Sequence, residues 1–101
     1  MRELFQQELK DLKDGLVAIA TNVESAMSRA VTSFNESDVN MAEEVIAQDY
    51  LIDDAVKELD EQAIAILARQ SPVASDLRQV VSTLRISSSL ERMGDLATHL
   101  A

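Results

Sequence analysis

Leu67-Ala68-Arg69-Gln70-Ser71-Pro72-Val73-Ala74-Ser75-Asp76-Leu77-Arg78 lies between two long stretches of helical periodicity and holds the one proline of the chain. Serine can cap a helix, and proline at the first helical position gives up no needed N–H donor while presetting φ. Ser71-Pro72 therefore reads as a break, with a new helix starting at Pro72. Upstream, apolar residues recur in steps of three and four at Ala42, Val45, Ile52, Val56, Leu59, Ala63 and Ile66. Asp49 takes the one remaining seam position, and Ile46, Ile64 and Leu67 widen the apolar face. Downstream, the same steps give a seam of Leu77, Val81, Leu84, Ser88, Glu91, Asp95 and Thr98. A second stripe of Ile86, Leu90, Met93, Ala97 and Leu100 lies on another face. Two long helices joined by so short a break must fold back on each other.

The hairpin has a third partner. Phe5, Leu9, Leu12, Leu16, Ile19, Val23, Ala26, Ala30 and Phe34 form a seam that predicts a helix over about residues 3 to 34. Gly15 weakens it by roughly 1 kcal/mol relative to alanine. Asn35-Glu36-Ser37-Asp38 is polar and rich in N-cap residues, so the second helix begins there. Breaks near 35 to 38 and 70 to 72 leave three helices, each about 45 to 50 Å long at the rise of an α-helix. The expected fold is all-α, an antiparallel three-helix bundle forming one domain over 1–101. Phe5, Leu12, Ile19, Val45, Ile52, Val56, Leu59, Leu77, Val81 and Leu84 are expected in its core. Two glycines and one proline leave little turn material for a sheet, and the absence of cysteine excludes disulfides and thiolate metal centres.

Eighteen acidic residues against nine basic ones give a net charge of −9. That balance opposes nucleic acid and anionic membrane surfaces and favours cations or basic partner faces. Residues 37–70 alone carry −7. The longest uncharged apolar-rich stretch, Gly15 to Val23, is far below spanning length, so no membrane insertion is expected and the cytoplasm is the expected location.

Asp49 and Asp95 lie equally far before and after Pro72, and so do Asp53 and Glu91. In an antiparallel hairpin these pairs meet side by side, about 30 Å from the connection by the helical rise. Four converging carboxylates repel one another unless cations neutralise them, and carboxylates on facing helices hold hard divalent or trivalent metals. Asp49, Asp53, Glu91 and Asp95 are therefore the candidate metal ligands, with His99, four after Asp95, as an accessory candidate. Two other readings stay open: Arg78, Arg85 or Arg92 pairs with the acids in a salt-bridge network, or the helices rotate Asp53 and Glu91 toward water. Gly94 either permits a close approach or is simply a tolerated glycine. With no cysteine, one histidine and scattered serines, no nucleophile, base and orienter set exists, and no enzymatic activity is expected.

The segments Val45-Ile46, Asp49 and Ile52-Asp53, then Leu67 to Arg78, then Leu90-Glu91-Arg92-Met93-Gly94-Asp95-Leu96-Ala97, together resemble the PhoU family, accessory regulators of bacterial phosphate uptake. The resemblance implies two tandem three-helix repeats, of which this chain matches the first. It also implies two Glu/Asp-x-x-x-Asp pairs that bind iron or zinc in some members. On it, Asp49 and Asp53 are the first pair and Glu91 and Asp95 the second; His99 stands where the family usually has Asn, and Ser89 where it often has Asp. The implied function is a regulatory adaptor that restrains the phosphate-specific ABC transporter, with the transporter ATPase and a sensor histidine kinase as partners. The residues alone leave open a metal-storage bundle or small metal-dependent enzyme, and a structural interaction bundle without metal. The Ile86, Leu90, Met93 and Leu100 stripe predicts self-association in place of a second repeat.

Overall fold

A computed structural model describes residues 2–69 and 73–101. Three helices follow one another: α1 (Arg2–Glu36), α2 (Val39–Arg69) and α3 (Ala74–Leu100). The molecule is a rod of 53 × 18 × 17 Å. Its length is that of α1 alone at the rise of an α-helix, so the chain runs up, down and up, each helix packing against both others. This is the all-α three-helix bundle that the periodicity predicts.

Ser37 makes the first break by adopting the left-handed conformation, φ 54°. The next amide, of Asp38, then donates to the carbonyl of Ser33 at 2.9 Å, which closes α1 in the manner of a Schellman motif. The Asp38 carboxylate in turn accepts from the Met41 amide at 3.0 Å and so caps α2. Ser71 and Pro72, the expected start of the third helix, lie outside the described residues. The helical residues of α3 begin at Ala74, after an extended Val73 with no side-chain cap.

The main core joins Leu9, Leu12, Ile19 and Val23 of α1 to Ile52, Val56, Leu59, Ala63 and Ile66 of α2 and to Val80 of α3. A smaller cluster, Ala30, Val45 and Ala97, fills the end near the α1–α2 connection. The α2 seam is buried along its length apart from half-buried Ala42 and Asp49. On α1, Phe5 and Leu16 are half-buried and Phe34 is 68% exposed.

The seam expected on α3 is displaced by about one residue, some 100° around the helix. Val80, Thr83, Ser87, Gly94 and Ala97 are buried. Leu77 is 42% exposed, Ser88 is exposed, and Val81 and Leu84 are half-buried. The second stripe divides: Leu90 packs on the core and Ala97 enters it, while Ile86, Met93 and Leu100 face outward. Small side chains make the α3 contact because they let its backbone come close to the other two helices, and that proximity outweighs the larger apolar area of the neighbouring stripe.

Candidate metal centre

Gly94 sets the distance between α2 and α3 at the acidic end. A Cβ there would meet Ile52 Cδ1 and Cγ2 at 3.4 Å and Asp49 Oδ1 at 3.7 Å, so the two helices touch across a bare backbone. The close approach brings Asp49 and Asp53, one turn apart on α2, against Asp95 of α3. One carboxylate oxygen from each lies within 4.8 Å of the other two. Asp49 and Asp53 are half-buried and Asp95 is exposed, so the triad sits at the groove edge. The hairpin register holds, since Asp49 and Asp95 meet as their equal spacing from Pro72 requires.

Glu91 stands apart from this set. It is half-buried and lies beside the α3 seam, and Asp95, also beside the seam, is exposed; neither occupies the seam position that the heptad count gave it, because α3 is turned by one residue. Glu91 still feels the cluster. Burial first, then Asp53, Asp95, Asp60 and Asp49, raise its carboxyl above the ordinary range. Asp53 is raised in the same way, by burial first and then by Asp49, Asp95 and Asp54. His99 is exposed and outside the set.

Among the described residues, no ion pair to a lysine or arginine relieves this repulsion. Among the described residues the ion pairs are Lys10 with Asp14, Arg29 with Glu44 and Arg69 with Glu8. The expected alternative, pairing with Arg78, Arg85 or Arg92, is not made; Arg92 reaches only the Ser89 hydroxyl, at 3.4 Å. Three carboxylate oxygens converging from two helices, without a guanidinium among them, form a donor set suited to a hard cation.

Two features escaped the sequence reading. Asp60 extends the acidic row one heptad beyond Asp53 and accepts from the buried Ser87 hydroxyl at 3.1 Å. Its spacing of seven from Asp53 is a signal that was available. The other is a cavity between α1 and α2 bordered by Asn22, Arg29, Gln48 and Asp49. It arises where three helices fail to meet, and no single-helix pattern announces it.

The family model described as the PhoU domain matches residues 16–101. A phosphate-specific transport system accessory protein PhoU homolog of Rhizobium meliloti is 36% identical over 97 residues, covering 96% of this chain and 41% of that protein. A protein of the same description from Clostridium acetobutylicum is 36% identical over 101 residues, covering 99% of this chain and 46% of the relative. Homolog 1 of Mycobacterium tuberculosis is 37% identical over 101 residues, covering all of this chain and 46% of its own length. The chain thus spans somewhat less than half the length of these relatives. No solved structure matches it.

Proposed function

The chain belongs to the PhoU family, and from that membership we propose that it is an accessory module of phosphate-specific transport, a regulatory adaptor and not an enzyme. Its partners on this reading are the transporter ATPase and a sensor histidine kinase. None of the three helices is long and apolar enough to cross a membrane, and the adaptor meets both partners from the cytoplasm.

Asp49, Asp53 and Asp95 would hold a divalent or trivalent ion, iron or zinc, with Glu91 completing the set. When bound, the ion neutralises the cluster and ties α2 to α3, which fixes the surface those helices present. The observation that carries this reading is the convergence of three carboxylates that, among the described residues, form no ion pair with a lysine or arginine. A storage bundle would use the same residues but would load and release metal without partners. Metal analysis of protein purified without chelator, followed by pull-down against transporter ATPase and kinase fragments, tests the proposal. Bound metal and capture of either fragment support it; metal without capture favours storage, and neither leaves a structural bundle.

The outward row of Ile86, Met93 and Leu100 is the face assigned to self-association. Light scattering at high concentration is expected to give the mass of a dimer or higher oligomer; a strictly monomeric mass contradicts it.

A further inference from the structure

Asn22, Ser25 and Arg29 mark the flank of α1 that faces α2. The opposite flank, with Val17, Val31 and Phe34, therefore lies on the α3 side. On α3, Asp95 and Thr98 mark the flank toward α2, which leaves Ile86, Met93, Leu96 and Leu100 on the side of α1. These side chains of α1 and α3 are 40 to 68% exposed, and one charged residue, Glu24, stands among them. The face is thus wider than the α3 row alone. Exposed apolar residues of α2, such as Tyr50 and Ile64, are instead separated by Asp54, Glu58 and Glu61.

Ala30 and Ala97 share one buried cluster, which fixes the level of the parallel helices α1 and α3. Phe34 is then level with Leu100, and Glu24 with Arg92, each to within about one residue. From Val17 to Phe34 the face runs about 25 Å by the helical rise, and the rod is 18 Å across. It covers on the order of 450 Å² in projection, among the larger patches a lone protein exposes. Doubled across a two-fold axis and bordered by a polar rim, it reaches the roughly 1,200 Å² at which stable interfaces begin. The −7 of residues 37–70 sits on α2, behind this face, so two copies can meet here with their acidic helices turned apart.

We propose that this face joins a second copy of the chain in a parallel two-fold dimer, each α1 packed on the partner's α3 and each Glu24 paired with the partner's Arg92. The charges choose this orientation. An antiparallel two-fold centred on the face would stack α1 on α1 and α3 on α3, and would bring each Glu24 near its own copy. The parallel one sets Glu24 against the opposite charge twice, and like charges facing one another cost more than a rim pair gains. Arg92 is free for this role: its guanidinium leans on the Ser89 hydroxyl at 3.4 Å, on the edge next to α1, and neither it nor Glu24 is in the ion pairs among the described residues. The acidic triad, on the α2–α3 side, stays uncovered. This arrangement rests on the self-association proposed above and adds to it the α1 half of the interface and the direction of packing.

Sedimentation equilibrium of the metal-free chain measures the dimer, and Phe34→Glu or Ile86→Glu, both at exposed helix positions, should raise its dissociation constant a hundredfold or more. Glu24→Arg or Arg92→Glu alone should raise it about tenfold, and the two together should restore it. The chain has no cysteine, so Lys10→Cys carries a single spin label far from the centre of the face. In the parallel dimer the two labels lie within about 25 Å, across two packed helices; in the antiparallel one they lie about 50 Å apart by the helical rise. A monomer at millimolar concentration overturns both the dimer and the self-association reading. A dimer with labels about 50 Å apart, or one that the charge swap does not rescue, overturns this arrangement and leaves self-association standing. A dimer indifferent to both Phe34→Glu and Ile86→Glu removes this face from the interface. If the chain stays monomeric and the Phe34 and Ile86 amides shift when the transporter ATPase fragment is added, the face belongs to that partner and the dimer is overturned.

Discussion

Where α2 ends and α3 begins, the bundle is filled by Leu9, Leu12, Leu59 and Ile66, whereas near the α1–α2 connection the same helices meet through Ala30, Val45 and Ala97. The first end is closed further by the Glu8–Arg69 ion pair between α1 and α2. The second carries Gly94, three converging carboxylates and an open cavity. Large side chains hold one end by the apolar area they remove from water. Small ones hold the other loosely, and their size lets backbones approach closely enough for charged groups on separate helices to meet. The bundle thus tolerates a repulsive site at one end because cohesion is concentrated at the other.

The largest expected effect separates the ends directly. Leu12→Ala leaves a cavity among well-packed neighbours and should lower unfolding free energy by about 2 to 5 kcal/mol. Ala30→Gly, at the thin end, should cost about 1 kcal/mol, mainly through helix propensity. Urea titrations measure both, and equal losses would break the comparison.

Next is removal of charge. With Asp49→Asn and Glu91→Gln, fewer like charges face each other in the groove, so metal-free stability should rise by about 1 kcal/mol for contacts of this length in a watery groove. The same variant should lose any metal-dependent rise in Tm. Had arginines paired with the acids, the change would strand them and lower stability instead, so calorimetry with and without zinc reads out which electrostatics operate.

The pH dependence sharpens the same point. Burial and neighbouring carboxylates raise Asp53 and Glu91 above their ordinary values. Over that interval the folded metal-free chain keeps protons that the unfolded chain has released. The stability these two groups contribute is therefore fully present below the ordinary carboxylate range and is lost as pH rises through the raised values. Bound metal favours the ionised forms, so its contribution grows with pH and fades as pH is lowered. Melting curves from pH 4 to 7 should accordingly diverge upward in pH between loaded and metal-free protein. Parallel curves would remove the cluster from the account.

These differences also explain what could be read from the residues. The α2 seam was legible because Val45, Ile52, Val56, Leu59 and Ile66 are large, periodic and backed by polar neighbours. On α3 the contact residues are Thr83, Ser87, Gly94 and Ala97, and periodicity weighted by apolarity finds the stripe beside them instead. The carboxylates were found by register, which depends on distance from the turn and survives a rotation error; their burial depends on rotation and was misread for Glu91 and Asp95. Self-complementary spacing therefore located the candidate site where the hydrophobic pattern misplaced it. The cavity needed all three helices and was legible in none of them.

The smallest effect belongs to the connection at the thin end. Ser37 holds φ at 54°, a left-handed conformation that costs a residue with a Cβ about 1 kcal/mol. Glycine adopts it freely but gives the unfolded chain more conformations to lose, so Ser37→Gly should gain only about 0.5 kcal/mol net. The hydrogen bond from Asp38 N to the Ser33 carbonyl needs no side chain at position 37 and should persist. The gain should appear as a small rise in Tm and as slower amide exchange in Met41 to Val45, the first turns of α2. At the opposite end glycine plays another part: a Cβ on Gly15 would stand 2.9 Å from Leu59 Cδ1. Gly15→Ala should thus lose, in displacing that buried methyl, the roughly 1 kcal/mol it gains in helix propensity. One end is limited by backbone strain and the other by space, so Ser37→Gly should stabilise while Gly15→Ala leaves the midpoint unchanged or lower. A reversal of that order would show the packed end to be the looser one.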